Sequence, residues 1–540
     1  GSAQEIALRI TPLKDVYYTH DTTFDFNPKG HRETNYVLLG IAFLILFIAG
    51  INFTNLTTSL IPLRLKTINT HRVLGCSIYK LRAISLIESI VICLISYILA
   101  LFIVNDLSYT PIANWVDADI RLSQYKGLIL LTALIAILTG CLAGLYPAIR
   151  STSYAPALVL KGSFGLSPKG KKVRVALIGF QYTVSIALII VTLFMGLQNH
   201  FMTSSEQLGF NKDQVAIVNL TPEIYAKHKP QYIQKLKDYP GIEDVAFSVY
   251  ELSKEDDMID LEYARHEDKD VFFKVFYASE NFLSVMDIQV EEGRDFTRED
   301  LNKAQSDYII NPAAERDFHL HPGDRFNDRT VLGVSKDFRF NSCRIASSPF
   351  VFALNNDIPN PKLVSYIRFN SKTNLQEAVA HVRETLKEID PTFPFEISFY
   401  NTILNNLYQK EQTLGKLISL FGIMAILISI VGVFGLVLFE TQYRRKEIGI
   451  RKINGATTGQ ILLMFNKTYI RIVSVCFIIS IPIAWMGTQQ WLENFAYKTP
   501  LHLWVFIVAF LIILSVTIGT VTFRNWQAAN ENPVNSVKSE

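Results

Sequence analysis

Roughly seven apolar runs, each near the twenty or so residues that a helix needs to cross a bilayer core, leave this chain few ways to fold. They fall at about 36–60, 84–104, 127–146, 175–198, 414–439, 469–487 and 503–523. The 49% hydrophobic composition and mean hydropathy of +0.22 agree with insertion into a membrane. A net charge of +3, with the cations gathered beside apolar runs, excludes a nucleic-acid surface. Of the five cysteines, Cys93, Cys141 and Cys476 lie in apolar runs, Cys76 in a basic loop and Cys343 in the large polar region, so no disulfide framework or zinc spacing follows.

Between the fifth and sixth runs stands Arg444-Arg445-Lys446-Glu447-Ile448-Gly449-Ile450-Arg451-Lys452-Ile453-Asn454-Gly455-Ala456-Thr457. Its cations outnumber its one carboxylate, and cationic loops beside spans stay on the cytoplasmic side. The alternation of charged residues with Ile448, Ile450 and Ile453 predicts a short amphipathic helix along the membrane surface, ended by Gly455. A second copy, Arg64-Leu65-Lys66-Thr67-Ile68-Asn69-Thr70-His71-Arg72-Val73-Leu74-Gly75-Cys76-Ser77, aligns without a gap, Gly75 on Gly455 and Lys66 on Lys446. Each copy follows a span and precedes two more, and each unit ends in a tail with proline, at Pro156 and Pro533.

The chain therefore divides into a first three-span unit over 36–150, a cytoplasmic linker over 151–174, a span over 175–198, a polar domain over 199–411, a second three-span unit over 412–525 and a cytoplasmic tail over 526–540. Every loop assigned inside is basic, which puts the polar domain outside. The fold class expected is an α-helical integral membrane protein with an inserted α+β extracytoplasmic domain and two repeated transmembrane units. Within the polar domain, 213–220, 243–249, 271–277, 306–310, 330–334 and 363–369 read as strands, with helices over 225–239 and 375–389, the latter stopped by Pro391 and Pro394. Gly1-Ser2 reads as a cloning remnant, and 3–35 as polar with strand-like pieces and no cleavable signal. Residues 10–17 resemble 400–408, so 1–35 is expected to be the C-terminal remnant of a first periplasmic domain whose initial span and greater part are absent here.

The pattern Arg-x-Lys-Glu-Ile-Gly-Ile-Arg-Lys-x-x-Gly-Ala-Thr resembles the coupling loop of FtsX/MacB-like ABC transporter permeases. The polar domain agrees through Phe282-Leu283-Ser284-Val285-Met286-Asp287-Ile288, Glu292-Gly293-Arg294-Asp295-Phe296, Pro322-Gly323-Asp324 and Val331-Leu332-Gly333-Val334-Ser335-Lys336-Asp337-Phe338, which look like the extracytoplasmic domain of two-unit members common in Bacteroidetes. The resemblance implies a multi-pass protein of the cell inner membrane with its large domain in the periplasm. It further implies that a cytoplasmic ABC ATPase, acting as a dimer and carrying ATP and Mg, docks on Arg444, Arg445, Lys446, Glu447, Ile448, Gly449, Arg451, Lys452 and Gly455, and on a second loop at Arg64, Lys66, Arg72 and Gly75. ATP-driven closure would then move the periplasmic domains, a process called mechanotransmission, serving export or extraction of a peptide, lipoprotein or drug. The sequence contains no Gly-x-x-x-x-Gly-Lys-Ser/Thr phosphate loop, which fits a separate ATPase subunit, no enzymatic residue and no cofactor in this chain. A periplasmic adaptor or substrate protein and membrane lipid are the further partners implied. Asn454 departs from the aliphatic residue many members carry, and Thr67 and Asn69 stand where the second copy has Glu447 and Gly449, so the two loops are not equivalent.

His319-Leu320-His321 could set two imidazoles on one face of a strand near Asp317 or Asp324, but a structural metal site needs about four ligands, and no metal is expected. Glu255-Asp256-Asp257 and Glu291-Glu292 show no activating neighbour, and no catalytic residue is assigned. Glu88 is the main ionisable residue within a span, near its inner end and able to reach the interface. Gly140-x-x-x-Gly144, with Gly432 and Gly435, offers small residues for close helix packing. Two other functions compete: an FtsX-like signalling protein activating an envelope partner such as a cell-wall hydrolase, and a membrane-anchored receptor with no ATPase. The doubled loop favours the transporter.

Overall fold

The protein is described from a computed structural model, which describes residues 12–18, 32–115, 121–153, 168–204, 208–253, 260–266, 269–303, 305–339, 342–354 and 363–530. The chain forms two compact units: a helical one from residues 1–195, 413–489 and 501–540, and an α/β one from 196–412 and 490–500. Among the described residues seven helices are long and apolar enough to cross a membrane. They are span 1 (Arg32–Ser59), span 2 (Ile78–Leu107), span 3 (Lys126–Thr152), span 4 (Pro168–Thr203), span 5 (Gln409–Tyr443), span 6 (Thr458–Leu492) and span 7 (Leu503–Ala529). Most outrun the apolar stretches, running on into polar residues at their ends. Span 4 starts at Pro168, inside the basic stretch read as linker, with proline at the helix start where its missing N–H is not needed.

In the helical unit, glycine brings spans 2 and 3 together. A Cβ on Gly140 would lie 3.0 Å from the Ile90 Cα, and one on Gly144 would lie 2.6 Å from the Ser89 Cβ, so the two backbones approach as only glycine permits. The Tyr97 hydroxyl donates to the Ile129 carbonyl at 2.7 Å, and Thr54 of span 1 donates to the Ala143 carbonyl at 2.8 Å. Polar side chains also bond the remaining spans: Ser185 to Ser429 at 2.9 Å, Thr517 to the Tyr182 hydroxyl at 3.1 Å, Thr441 to Asn525 at 2.8 Å and Asn466 to Thr522 at 2.9 Å. Each gives a hydroxyl or amide a partner where lipid offers none. Leucines such as Leu130 and Leu142, each 74% exposed, form the outer surface, as a helix bathed in lipid requires.

The α/β unit holds one mixed sheet. Its strands are β1 (Val215–Leu220), β2 (Ile242–Ser248), β3 (Asp260–His266), β4 (Lys269–Ala278), β5 (Val290–Gly293), β6 (Tyr308–Ile310), β7 (Arg325–Phe326), β8 (Arg329–Ser335), β9 (Phe350–Leu354), β10 (Leu363–Phe369) and β11 (Ile397–Phe399). The order is β11-β1-β10-β2-β4-β9-β6-β8-β5, with β3 paired to β4 and β7 to β8. The side-chain period of two sorts β1 cleanly. Val215 and Ile217 join Phe276, Phe282, Tyr366 and Tyr400 in one core, while Ala216, Val218 and Leu220 meet Tyr232, Leu236, Val382 and Leu386 of the helices Lys229–Lys237 and Leu375–Ile389 in another. The strand-helix-strand reading of 213–249 holds with one change, since β10 inserts between β1 and β2 and pairs antiparallel with both.

Several sequence expectations are corrected here. Strand β9 is absent from the sequence reading although all five of its residues are buried, because a short unbroken apolar run has no diagnostic period. Residues 13–16, expected within strand-like pieces, form a helical turn; the rest of 1–35, apart from 12–18 and 32–35, lies outside the described residues, as does the tail 531–540. His319 is not in a strand: it caps the helix Pro312–Phe318 in the left-handed region, with φ of 53°. Residues 490–500, read as part of the second three-span unit, belong to the α/β unit.

The quoted motifs of this unit have structural duties. Gly293 has φ of 78°, and a Cβ there would meet Gly333 Cα at 2.7 Å. The next residue, Arg294, grips the buried Asp300 through two nitrogens at 2.7 and 2.9 Å. Asp300 also accepts from the Thr297 amide and hydroxyl, at 2.9 and 2.8 Å, and pairs with Lys303 at 3.1 Å. The guanidinium of Arg294 foremost, against the opposing effect of burial, holds the Asp300 carboxyl well below the usual carboxylate range.

Candidate functional site: two loop helices

Both basic loops are helices, Ile61–Val73 and Arg445–Ile453, and they end alike bond for bond. Leu74 N–H donates to Thr70 O at 3.1 Å and Asn454 N–H to Ile450 O at 3.1 Å; Gly75 donates to Arg72 O at 3.1 Å and Gly455 to Lys452 O at 3.0 Å; Cys76 donates to His71 O at 2.9 Å and Ala456 to Arg451 O at 2.9 Å. Gly75 and Gly455 have φ of 91° and 87°, the left-handed conformation that makes glycine the terminator in each copy. The next span then starts at once. Ser77 accepts from the Lys80 amide at 3.4 Å, and Thr457 accepts from the Gln460 amide at 3.3 Å, while the Gln460 Oε1 accepts from the Thr457 amide at 3.1 Å. This reciprocal capping box is found in the second copy.

Loop and span are thus separated by one tight turn. The second loop helix is amphipathic, but its isoleucines divide between two faces. Ile448 is buried, whereas Ile450 and Ile453 are 55% and 64% exposed. At about 100° per residue, 450 and 453 lie near one another and away from 448, so spacing by charge alternation is a poor guide to a helical face. Val73 and Leu74 give the first helix its exposed apolar end, at 66% and 78%. Asn69 is buried and donates to its own helix at Leu65 O, 2.8 Å, where the second copy has the equally buried Gly449.

The two helices are fixed to their units by different ion pairs. Arg64 makes a two-pronged pair with Glu88 of span 2, both bonds 2.8 Å. Its counterpart Arg444 reaches Glu440 of span 5 at 3.0 Å and lies 5.7 Å from the Phe465 ring of span 6, and Tyr469 of span 6 donates to Glu440 at 3.3 Å. Glu447, read as an anion free for a partner, accepts from Arg451 at 2.9 and 3.2 Å and lies 4.0 Å from Arg444. Arg72 donates to the last-turn carbonyl of span 3, Thr152, at 3.3 Å, and Arg82 to the Thr152 hydroxyl at 2.9 Å. Lys452 is half-buried and Thr67 exposed. The helix carries the backbones of Lys66, Arg445 and Lys446, whose side chains lie outside the described residues. Glu440 and Tyr469 were missed by sequence reasoning; the acid-after-span position of Glu440 was the available signal.

Elsewhere, the Asp324 carboxylate accepts from the His321 amide at 2.8 Å. Glu292, Glu315 and His321 bring one ligand atom each to within 4.8 Å of one another, an arrangement that omits His319. Residues 255–257 lie outside the described residues.

Two units of span, capped loop helix and two further spans define a class: a polytopic membrane protein with an α/β domain inserted between its repeats. The family model for the FtsX-like permease C-terminal domain matches residues 39–156 and 419–533, which are those two units. Over those residues the chain is similar to the FtsX-like permease family. It is 25% identical over 212 residues to the macrolide export ATP-binding/permease protein MacB of Aggregatibacter actinomycetemcomitans, covering 37% of this chain and 32% of that protein. It is 25% identical over 223 residues to the MacB of Neisseria gonorrhoeae, covering 39% and 34%. The chain thus spans about a third of the length of these relatives. Among solved structures, the periplasmic region of MacB from Actinobacillus actinomycetemcomitans matches with TM-score 0.28 and 15% identity over 37% of this chain and 94% of its own. The extracellular domain of the ABC-type transporter YknZ from Gram-positive bacteria matches with TM-score 0.26 and 16% identity over 34% and 98%.

Proposed function

We propose that this chain is the permease subunit of an ABC transporter working by mechanotransmission in the inner membrane, with ATP and Mg bound and ATP hydrolysed on a separate cytoplasmic ATPase dimer. The observation that carries this reading is the pair of loop helices, each locked by an arginine and a left-handed glycine directly before a long span. A push on such a helix has little slack to take up before the span moves. The exposed Ile450 and Ile453 beside the Glu447–Arg451 pair form a surface with an apolar patch and a charged rim, suited to a protein partner. The basic residues Arg444, Arg445 and Lys446 serve lipid headgroups as well. The movement would act on a peptide, lipoprotein or drug at the periplasmic face, with a periplasmic adaptor or substrate protein as the outer partner.

Glu447→Ala tests this in the full chain reconstituted with its ATPase in one lipid. Loss of a charged hydrogen bond to the partner, worth about 1.5–3 kcal/mol, lowers ATPase binding or coupled turnover by about tenfold or more. The intrahelical pair with Arg451 is worth only about 0.3–0.5 kcal/mol, so its loss cannot imitate that effect. Thr67→Ala, at the matching exposed position, has a clearly smaller effect. No effect at either position removes the coupling role, and coupled turnover with no substrate moved would favour the signalling reading.

A further inference from the structure

The turn after the helix Pro312–Phe318 brings together metal-ligating side chains from three pieces of backbone. Glu292 stands on β5, the edge strand beside β8, Glu315 lies in the helix, and His321 follows the left-handed His319 that caps it. One ligand atom from each lies within 4.8 Å of the other two. The backbone under two of them is pinned. Leu320, 2% exposed in the core, donates its amide to Glu315 O at 3.2 Å, and the Asp324 carboxylate accepts from the His321 amide at 2.8 Å. The sequence offers only the pair His319 and His321, and folding sets two carboxylates beside His321 in place of His319.

The charges here are unbalanced. Among the described residues neither Glu292 nor Glu315 is paired with a lysine or arginine, and the Glu315 carboxylate stands 3.5 Å from His321 Nδ1. A direct charged hydrogen bond would close to about 2.7–2.9 Å. Two ligand atoms sharing a tetrahedral ion, with bonds of about 2.0–2.2 Å, stand roughly 3.4 Å apart. The observed separation matches shared ligation. One imidazole with two carboxylates suits a borderline divalent transition ion such as zinc, whereas magnesium and calcium take oxygen ligands.

We propose that Glu292, Glu315 and His321 bind one divalent transition ion of the zinc type at this edge of the α/β unit. Three protein ligands with water in the fourth position make an open zinc site. The ion neutralises the two carboxylates and clips β5, which has a strand partner on one side alone, to the helix and the turn that follows it. His319, exposed and two residues from His321, takes no part.

The test uses the full chain without a histidine tag, purified in detergent, stripped with a chelator and titrated with Co2+. One saturable equivalent should develop the visible absorption of a site of low coordination number, and Zn2+ should bleach it. His321→Ala, Glu315→Gln and Glu292→Gln should each weaken Co2+ binding by about tenfold or more, since loss of an outer-shell partner alone costs about that much. His319→Ala should bind as the native chain does. Zn2+ should also slow hydrogen exchange across residues 290–293 and 312–324 of the native chain and leave that of His321→Ala unchanged. Should His321→Ala melt below the metal-free native chain, the two glutamine variants, which keep the size of the side chain, decide the matter. No saturable Co2+ equivalent in the native chain overturns the proposal, as do native affinity in the glutamine variants or equal losses in His319→Ala and His321→Ala.

Discussion

Phe495 lies outside the contiguous α/β sequence, in the segment between spans 6 and 7, yet it is 3% exposed in a cluster with Met202, Cys343 and Tyr408. The Arg344 guanidinium sits 4.8 Å from its ring, and Trp491 meets it edge-on at 5.0 Å. Its neighbours finish the attachment: the Tyr497 amide donates to Cys343 O at 3.1 Å, the Ser347 amide donates to the Tyr497 hydroxyl at 3.2 Å, Gln198 donates to Tyr497 O at 3.0 Å, and the Thr499 amide donates back to Gln198 at 2.8 Å. Phe495→Ala removes a buried ring, a change that costs about 3–5 kcal/mol in a core that does not collapse. At about 1.4 kcal/mol per factor of ten, hydrogen exchange at residues 342–348 should accelerate by roughly a hundredfold to a few thousandfold if this segment opens locally. In an isolated 196–412 fragment, appending 490–500 through a flexible linker should raise the melting temperature by on the order of 10 °C, at about 2–4 °C per kcal/mol for a unit of this size. Phe393→Ala, at a 44% exposed phenylalanine, is the control and should change stability by no more than about 0.5 kcal/mol. Unchanged exchange at 342–348 in the full chain, or equal melting of the two fragments, would refute the claim that this segment completes the α/β unit.

Asp300→Asn should destabilise the α/β unit by about 2–3 kcal/mol near neutral pH, since it weakens several charged bonds to one buried carboxylate. The folded pKa of Asp300 is depressed, so its stabilisation is present above the unfolded value of about 3.9 and is lost as pH falls below it; urea unfolding should show the gap between the native and substituted units narrowing between pH 7 and pH 3, and a constant gap would contradict this. Gly144→Ala should destabilise the spans by about 1–3 kcal/mol, because the added methyl meets both the Ser89 Oγ and its Cβ, and the Cβ cannot rotate away. Adding Ser89→Gly should recover much of that loss in thermal unfolding in bicelles, and an additive outcome would mean the two residues are not in contact.

The features legible in the sequence are those set by short-range chemistry. Span length and loop charge are composition over about twenty residues, and the Gly75 and Gly455 turns follow from the one conformation that glycine alone adopts without strain. Gly140 and Gly144 announced a close helix crossing and form one. What stayed hidden depends on partners distant in sequence. Nothing local says that β10 lies between β1 and β2, that Glu88 is the partner of Arg64, or that 490–500 leaves its spans to join the α/β core. Aromatic residues next to a span read as interface anchors, which is why Trp491, Phe495 and Tyr497 gave no signal of a core role. His319 misled because a left-handed helix cap looks the same as a strand residue when only neighbours are compared.

The two loop arginines show what the repeat preserves and what it lets vary. Arg64 stands in the first turn of Ile61–Val73 and Arg444 just before Arg445–Ile453; Arg64 is tied to Glu88 of the span that follows, whereas Arg444 pairs with Glu440 of the preceding span 5, to which Tyr469 of span 6 also donates. A residue kept only as a topology signal would need its charge and no particular partner. Here each unit anchors its loop helix through an arginine–carboxylate pair, made to the following span in the first and to the preceding span in the second. The joints differ in make-up. Arg64 has a two-pronged grip on one carboxylate, the stiffer geometry, while Arg444 shares its charge between Glu440 and Glu447. Displacing the second loop helix therefore also disturbs Glu447 and Arg451, the pair at its exposed face, whereas the first has no equivalent anion at Thr67. Under the proposed function, the loop helix bearing Glu447 is the one where partner contact and joint geometry would be chemically linked.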